Sequence, residues 1–297
     1  MFKKENLKKI INELAESYEA EKILSNLELL EICKREGFEG FTNEQDNRLA
    51  HELAEVAANI QVSKRYCRSK FKENNNISEI LSGLENLEKR MPLQSWRSSE
   101  QARLQQFSTP PSVAFLMTKI LNPAKTELIL EPSAGTGSLA AWLRISECDL
   151  QLNELSKRRR ALLELQDYEP MGYDAEFLDD VLPEEIQPEG ILMNPPFSSS
   201  SGRTKNNDAG FGFRHVRAAL SRLKDGGRLV TLLGTESGTQ TAKARKFWGE
   251  IADRCDLRAI IHLPKNAFRK YGTSVGTSIV CVVKNHSPGS ENRNKKK

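Results

Sequence analysis

The sequence lacks the features of a membrane or secreted protein. It contains no uninterrupted hydrophobic run of about 18 residues, the length that a membrane-spanning helix requires. Its start, Met-Phe-Lys-Lys-Glu-Asn, has no apolar segment of the kind that a secretory signal needs. We therefore expect a cytoplasmic protein that does not associate with a membrane.

Cysteine and histidine are scarce and scattered. The chain holds five cysteines and four histidines in 297 residues, and they do not stand at the spacing of a metal site. Scattered cysteines in a chain without a secretory signal are typical of reduced thiols. The sequence thus predicts free thiols and no bound metal.

The residues that are present make up the composition of a globular protein. Hydrophobic residues form 38% and charged residues 28% of a chain long enough for one full domain and a smaller one. The net charge is +4, but residues 1–95 hold 15 Lys/Arg against 17 Asp/Glu, so the remainder carries an excess of +6. That excess suits a polyanionic partner without requiring one.

The first third of the chain shows helical periodicity. Apolar residues recur at near-helical spacing over residues 1–95, and Thr42 followed by Gln45 indicates a capping box at the start of one helix. That helix ends in a basic stretch, 64–72, which is either a solvated helix end or a surface for phosphate groups. We expect a helical N-terminal domain over residues 1–95.

From about residue 96 short apolar runs alternate with helical patterns. Such alternation is typical of an α/β fold with a mainly parallel, Rossmann-like sheet covered on both faces. We assign residues 96–284 to this second domain and expect residues 285–297 to be a disordered basic tail. The predicted strands are 127–130, 149–153, 170–173, 190–193, 228–233, 257–262 and 278–283, with helices near 137–145, 156–165, 212–223 and 241–254.

Two strand ends carry residues suited to a nucleoside-type cofactor. The first strand runs into Glu131-Pro-Ser-Ala-Gly-Thr-Gly-Ser-Leu139, whose two glycines permit a tight turn and the close approach of a ligand. The third glycine of a dinucleotide fingerprint is absent. Glu154 follows the next strand, where a carboxylate can accept both hydroxyls of a ribose. The alternative is a surface glutamate that caps the following helix.

Another strand ends in Asn194-Pro-Pro-Phe197. Neither proline can donate to a strand ladder, and Pro195 disfavours a helical Asn194, so the strand stops with a polar amide at its carboxyl end. The alternative is a strand that ends in a tight turn without further purpose. The polar segment 198–212 follows, and a loop of about 15 residues behind such a motif is more often functional than idle. We expect this loop to be disordered without substrate.

The order of these motifs resembles that of the S-adenosylmethionine-dependent adenine-N6 DNA methyltransferases. Phe107-Ser-Thr-Pro-Pro111 precedes the glycine loop, and Glu154, Glu176-Phe-Leu178 and Asn194-Pro-Pro-Phe197 follow it, over roughly residues 100–284. The group with a Thr-Pro-Pro segment before the glycine loop includes many restriction, plasmid and phage methylases. The resemblance implies a seven-stranded, mostly parallel sheet with an antiparallel last strand, S-adenosylmethionine as cofactor and DNA as substrate.

The resemblance also implies roles for individual residues. Phe197 would stack on the target base, opposite an aromatic residue that is best matched by Phe268, with Tyr271 second. Asp174 is an alternative to Glu176 as the acid that meets the cofactor's adenine. Core packing explains Phe177, Leu139 and Met193 as well as an adenine pocket does. The implied cofactor-binding residues are Phe107, Thr109, Pro110, Glu131, Ser133, Ala134, Gly135, Gly137, Glu154, Glu176, Phe177 and Asn194.

The chemistry of amino-group methylation agrees with the Asn-Pro-Pro motif. The lone pair of an exocyclic adenine amine is delocalised into the ring, so the amine is a poor nucleophile. The side-chain oxygen of Asn194 and the backbone oxygen of Pro195 can accept both of its N–H groups and draw the nitrogen toward sp3 character. Pro195 and Pro196 hold these acceptors rigid. The catalysis needs positioning and electrostatics rather than a strong base, on a base taken out of the duplex.

The sequence departs from this family after the last strand. Restriction-type relatives usually carry a large target-recognition domain there, whereas this chain ends about a dozen residues later. We therefore expect base readout from the 198–212 loop, from the N-terminal helices or from a partner protein. The N-terminal helices are also candidates for self-association.

Three other functions remain open. An RNA base methyltransferase can carry the same Asn-Pro-Pro-Phe motif. A protein glutamine methyltransferase also joins a helical N-terminal domain to such a motif, but usually with Tyr in the last place and without Thr-Pro-Pro. A methylase fold without activity can act as a nucleic-acid-binding subunit. The basic run 157–160 is either a solvated helix face or a nucleic-acid contact.

Overall fold

The structure is a computed structural model that describes residues 2–39, 43–67, 76–94, 107–196, 211–234, 241–272 and 276–286. The predicted loop 198–212 and the predicted tail 285–297 lie almost wholly outside these residues. Within them, no helix is both long and apolar enough to cross a membrane.

The described part of residues 1–95 is helical. Helix α2 begins with a reciprocal capping box between Ser25 and Glu28. The predicted cap of α3 at Thr42 is wrong, because the side chain of Asn43 accepts the first backbone N–H groups and Asn is at least as good a cap as Thr. The helices are α1 (Lys4–Glu19), α2 (Asn26–Arg35), α3 (Glu44–Arg65) and α4 (Ile77–Arg90).

A six-stranded mixed sheet in the order β2-β1-β3-β4-β6-β5 forms the centre of the described C-terminal part. Strands β1, β2, β3 and β4 pair in parallel. The last strand, β6, lies antiparallel between β4 and β5, which confirms the predicted reversal. The strands are β1 (Leu128–Glu131), β2 (Asp149–Leu152), β3 (Gly190–Met193), β4 (Arg228–Gly234), β5 (Cys255–His262) and β6 (Thr277–Lys284).

The predicted seventh strand, 170–173, is not a strand in this structure. It is reduced to one parallel bridge between Asn153 and Met171, where Met171 N donates to Leu152 O and Glu154 N donates to Met171 O. Pro170 has no N–H with which to extend the ladder.

Helices cover both faces of the sheet, as the α/β prediction requires. Successive residues of a strand point to opposite faces. Ile129 therefore packs with α1 to α6, whereas Leu130 packs with α8 to α10. The helices after α4 are α5 (Pro111–Leu121), α6 (Ser138–Ser146), α7 (Lys157–Glu164), α8 (Leu178–Val181), α9 (Phe211–Arg222) and α10 (Ala242–Ile251).

The N-terminal helices share the core of one face. Buried side chains of α1, α3 and α4 belong to the same apolar cluster as Ile129 of β1 and Leu192 of β3. The division of the chain at residues 95 and 96 into two domains stays a prediction. What the fold does provide is a switch point, because β1 pairs with β2 on one side and with β3 on the other. In open α/β sheets, ligands bind at the carboxyl ends of the strands beside such a point.

Candidate cofactor and substrate site

The glycine loop connects the end of β1 to the start of α6. Gly135 and Gly137 both take left-handed backbone angles, with φ of 59° and 95°. A side chain at Gly137 would come within 3.1 Å of Leu163, so packing as well as backbone angle requires glycine there. A side chain at Gly135 would meet nothing within 4 Å. The loop therefore presents bare backbone to open space at Gly135, which permits a ligand to approach closely.

Glu131, at the end of β1, is a buried carboxylate with a vacant acceptor. Glu131 is 1% exposed, and its Oε2 atom has no hydrogen-bond partner among the described residues. Burial, and then repulsion from Glu154, raise the pKa of Glu131 well above its usual range. A buried acceptor without a donor is costly to the fold. A ligand that brings a cationic or hydrogen-bonding donor would relieve that cost.

Glu154 lies one strand away and ties β2 to the glycine loop. Its Oε2 accepts from Gly135 N at 2.8 Å, and its Oε1 accepts from Ser156 N at 2.7 Å. The residue is 4% exposed, so the alternative of a surface glutamate is wrong. Capping of α7 falls to Ser156 instead, whose side chain accepts from Arg159 N. Each carboxylate oxygen keeps a second lone pair for a ligand hydroxyl.

Asn153 is a structural residue of the site that the sequence analysis did not single out. It is completely buried. Its Nδ2 donates to Pro132 O and Tyr173 O, both at 2.9 Å, while its Oδ1 accepts from Tyr173 N at 2.7 Å. One amide thus joins the ends of β1 and β2 to the 171–173 segment. A polar residue at the last position of the predicted strand 149–153 was the only available signal.

Asn194 meets the Phe107-Ser-Thr-Pro-Pro111 segment at the end of β3. Its Nδ2 donates to Phe107 O at 2.9 Å and to the buried Thr109 Oγ1 at 3.0 Å. A backbone carbonyl can only accept, so this pair determines which end of the amide is nitrogen. The Oδ1 atom is therefore directed away from the segment, and it accepts no hydrogen bond within the described residues. Pro195 is buried and Pro196 half-buried directly behind it; Phe197 lies outside the described residues.

The Glu176-Phe-Leu segment forms a short turn of 3-10 helix. Asp174 caps it by accepting from Glu176 N at 3.1 Å, and Glu176 Oε1 accepts from Arg214 Nε at 2.5 Å. The choice between the two acids stays a prediction. Phe177 is 41% exposed, so core packing does not explain it. Leu139 and Met193, for which core packing was weighed against a place in an adenine pocket, are both buried, as core packing requires.

Phe268 and Tyr271 lie inside the protein rather than on its surface. Phe268 is fully buried, with its ring centroid 6.4 Å from that of Tyr271. The Tyr271 hydroxyl reaches Met91 Sδ at 3.7 Å. Stacking on a base would require either ring to be uncovered first. Their predicted role stays untested, and their placement is that of core residues.

Within the basic run 157–160, Lys157 is exposed, as a solvated helix face requires, whereas the three arginines form hydrogen bonds within the protein. Arg159 is buried and donates to Glu52 Oε1 at 2.9 Å, and Arg158 donates to both oxygens of Glu52 at 2.7 and 3.1 Å. Burial alone would raise the pKa of Glu52, but Arg159, Arg158 and a third arginine on α3 lower it to about 2. Arg160 donates to two backbone carbonyls just after β2. Arg158 and Arg159 thus join α7 to α3.

No metal site is apparent in the part of the chain that the structure describes, where no group of three or more His, Cys, Asp or Glu side chains is arranged to hold an ion. The basic stretch at the end of α3 extends beyond the described residues, so both of its predicted roles remain open.

Comparisons by sequence identify no relative: no family model and no curated protein matches the chain. Comparisons by structure do. The chain is similar to a putative class I S-adenosylmethionine-dependent methyltransferase from Listeria monocytogenes, with a TM-score of 0.50, 17% identity and coverage of 96% of this chain and 88% of that one. The fold is that of the class I methyltransferases.

Two further matches come from type I restriction-modification systems. The methyltransferase subunit from Streptococcus thermophilus has a TM-score of 0.50 and 16% identity, covering 95% of this chain and 78% of that one. A chain from a study of complex assembly and conformational transition of the type I system has a TM-score of 0.51 and 12% identity, covering 85% and 50%. The chain spans only 57%, 48% and 50% of three of the proteins it matches, about half of their length.

Proposed function

We propose that this protein transfers a methyl group from S-adenosylmethionine to the N6 amino group of adenine in DNA. The observation that carries the proposal is the orientation of Asn194. Both hydrogen bonds of its Nδ2 are made inside the protein, to Phe107 O and Thr109 Oγ1. The acceptor atom Oδ1 is thereby held at the carboxyl end of β3, beside the switch point of the sheet. A strand that merely ended in a turn would not need its amide fixed in this way.

The residues at the ends of β1 and β2 fit S-adenosylmethionine. Its ammonium group would supply the donor that Glu131 Oε2 lacks, and its ribose hydroxyls suit the second lone pairs of the Glu154 carboxylate. The open space in front of Gly135 leaves room for it. Thr109, Pro110 and the loop residues Ser133 and Ala134 complete the proposed binding surface. Bound there, the cofactor would supply an electrophilic methyl group on a sulfonium sulfur.

The protein would act on the target amine by orientation. Asn194 Oδ1 and Pro195 O would accept its two N–H bonds, which localises the nitrogen lone pair and directs it toward the methyl group. The amine would form a bond to the methyl carbon as the carbon–sulfur bond breaks and S-adenosylhomocysteine leaves. The methylated amine would then lose one proton to solvent, so no side chain has to act as a strong base. Such preorganised acceptors contribute by positioning and by stabilising the charge that develops on nitrogen.

A nucleic-acid substrate is supported by the kind of protein that shares the fold. Two of the matched structures belong to type I restriction-modification systems, one of them described through complex assembly. The excess of +6 charges on residues 96–297 also suits a polyanion. By the same analogy, a partner subunit or a second copy bound through the N-terminal helices would contribute base recognition.

The deciding experiment offers the purified protein both kinds of nucleic acid. Protein and isotopically labelled S-adenosylmethionine are incubated with unmodified DNA, with RNA, or with neither, and the nucleosides are analysed by mass spectrometry. Labelled N6-methyl-2′-deoxyadenosine from the DNA sample supports the proposal. Label that appears only in RNA, or only in the protein, assigns the site to another substrate. Active preparations of Asn194→Ala would contradict the assignment of the catalytic residue.

A further inference from the structure

Helix α3 reaches from the N-terminal helices into the proposed cofactor site through Glu55. This residue is 5% exposed, and its carboxylate accepts hydrogen bonds from three distant parts of the chain. The donors are Gln94 Nε2 at 2.6 Å, Ser108 Oγ at 2.6 Å and Thr136 Oγ1 at 2.9 Å. Ser108 lies beside Thr109, and Thr136 lies between the two glycines of the loop. One carboxylate therefore connects the Thr-Pro-Pro segment to the glycine loop.

Asn59, one helical turn further along α3, holds the same loop by its backbone. Its side chain is 4% exposed, and Nδ2 donates to Thr136 O at 2.8 Å. Gln166 Nε2 donates to the same oxygen at 2.9 Å. The hydroxyl and the carbonyl of Thr136 are thus both anchored, and α3 supplies two of the three contacts.

A purely structural role is a poor explanation for Glu55. Burial raises the pKa of Glu55, and it outweighs the hydrogen bonds from Ser108 and Thr136, which lower the pKa because they favour the charged form. Glu52, three residues earlier, is equally buried but is surrounded by arginines. Buried polar networks of this kind are often no more stable than apolar packing, but they define one arrangement of the groups that they join. Here the groups are the two segments on either side of the proposed cofactor.

We propose that Glu55 and Asn59 are positioning residues that hold the glycine loop and the Thr-Pro-Pro segment in register, so that the docking of α3 sets the affinity for the cofactor. The inference rests on the proposed function for the identity of the ligand only. A loop that is already held in its binding conformation loses less entropy when a ligand binds. Any partner that moves α3 would then change cofactor binding without touching the site.

The chain provides a matched pair of variants for the test. Asn59 and Gln61 both lie on α3, and each donates one amide hydrogen bond to a backbone carbonyl, at 2.8 and 2.7 Å. Gln61 reaches Ala15 of α1, whereas Asn59 reaches the loop. Asn59→Ala and Gln61→Ala therefore remove similar contacts of the same helix. Only the first should affect the cofactor site.

Two measurements are made on the full-length protein. Hydrogen exchange of the Gly135 and Gly137 amides, which are bonded to Glu154 Oε2 and Ala134 O, reports opening of the loop without any cofactor. Calorimetry reports S-adenosylmethionine affinity. We expect Asn59→Ala to accelerate exchange about 5-fold and to weaken binding about 5-fold, the size of one hydrogen bond. The maximal methylation rate at saturating cofactor should be almost unchanged, and Gln61→Ala should resemble the wild type.

Glu55 is tested by a conservative rescue. Glu55→Ala removes all three contacts and should weaken binding about 10-fold or more. Glu55→Gln should restore most of the affinity, because the hydroxyls of Ser108 and Thr136 can accept as well as donate. Should an alanine variant fail to fold, Thr136→Val removes the hydroxyl contact while keeping the side-chain shape, and it should accelerate exchange at Gly135 in the same way.

The outcomes separate this inference from the proposed function. Equal exchange and equal affinity in Asn59→Ala and Gln61→Ala would overturn the positioning role. So would a loss of affinity in Glu55→Ala that Glu55→Gln does not recover, since that pattern would point to a charge effect instead. If the wild-type protein does not bind S-adenosylmethionine, the proposed function fails, and the exchange measurement still decides whether α3 holds the loop.

Discussion

The carboxyl ends of β1 and β2 differ in construction from the carboxyl end of β3, although we assign all three to one site. At β1 and β2 the side chains of Glu131, Asn153 and Glu154 are buried, and those of Asn153 and Glu154 are hydrogen-bonded within the protein. Glu131 Oε2 has no partner among the described residues. At β3 the half-buried Asn194 has only its nitrogen held. The first region is assembled before any ligand arrives. The second keeps an acceptor for a group that has yet to enter, and this is what a cofactor pocket and a substrate contact respectively require.

The largest effect is expected at β3. Asn194→Ala removes the acceptor that we assign to the target amine, so single-turnover methyl transfer should fall about 10²–10³-fold, the usual loss for one preorganised contact to a reacting group. Cofactor affinity, measured by titration, should change by no more than about 1 kcal/mol, since only neutral hydrogen bonds to the Thr-Pro-Pro segment are lost.

Thr109→Val is the control for that prediction. It removes one partner of Asn194 Nδ2 but leaves Phe107 O to orient the amide. We expect weaker cofactor binding with most of the saturated rate retained. Rate losses of equal size in Thr109→Val and Asn194→Ala would show that both residues act only through the structure of this segment.

A smaller effect is expected at β2. Glu154→Ala should weaken S-adenosylmethionine binding by about 1.5–3 kcal/mol, the scale of hydrogen bonds to a charged group. Because Glu154 also holds Gly135 N, calorimetry should be repeated with S-adenosylhomocysteine and its 2′-deoxy analogue. A true ribose contact predicts a smaller penalty for the variant with the deoxy compound. An identical penalty would mean that Glu154 acts by holding the loop.

The buried Glu131 at the end of β1 predicts that the folding stability of the protein depends on pH. The pKa of Glu131 is raised by burial and by Glu154, so its stabilising contribution is complete below the normal value of 4.5 and is lost as the pH rises through the raised pKa. Each unit of that rise is worth about 1.4 kcal/mol. Glu131→Gln cannot ionise, so cofactor-free Glu131→Gln should gain stability over the wild type between pH 5 and pH 8 in denaturant unfolding. A constant difference across this range would contradict the assignment.

The smallest effect is expected at the exposed aromatic residue. Phe177→Ala should leave folding stability within about 0.5 kcal/mol, because the ring is not packed in the core. If the ring covers the cofactor's adenine, affinity should fall by about 1 kcal/mol. Phe268→Ala is the opposite case, since its ring is fully buried and truncation should cost about 3–5 kcal/mol of stability. A Phe177→Ala variant with unchanged affinity would remove Phe177 from the site.

Much of the fold followed from local pattern. Short apolar runs that alternate with helical patterns predicted the six strands within a few residues of their observed bounds. Residues 170–173 failed the same test, since Pro170 limits the pairing to the one bridge at Met171. The cap of α3 shifted by one residue, from Thr42 to Asn43. The first error follows from a proline without an N–H, and the second from the choice between two neighbouring residues that can both cap a helix.

The sequence predicted only those residues of the candidate site whose place follows from their position at the end of a strand. The glycines, Glu154 and Asn194 stand at strand ends, and parallel strands bring those ends to one edge. By contrast, the run 157–160 was predicted to be a solvated face or a nucleic-acid contact, but Arg158 and Arg159 pair with the buried Glu52. Nothing in the local sequence distinguishes an exposed arginine from a buried one.

The sequence by itself determined the class of the fold, the turn chemistry of the glycine loop and the end of β3 at Asn194, since these depend on propensities and on the stereochemistry of Gly and Pro. Only the tertiary structure decided that Glu55 and Asn59 of α3 hold Thr136, and that Nδ2 rather than Oδ1 of Asn194 faces Phe107 and Thr109. The partners in these contacts lie about 80 residues apart. No periodicity records such a pairing, because it arises when separate elements pack and each buried donor must find an acceptor.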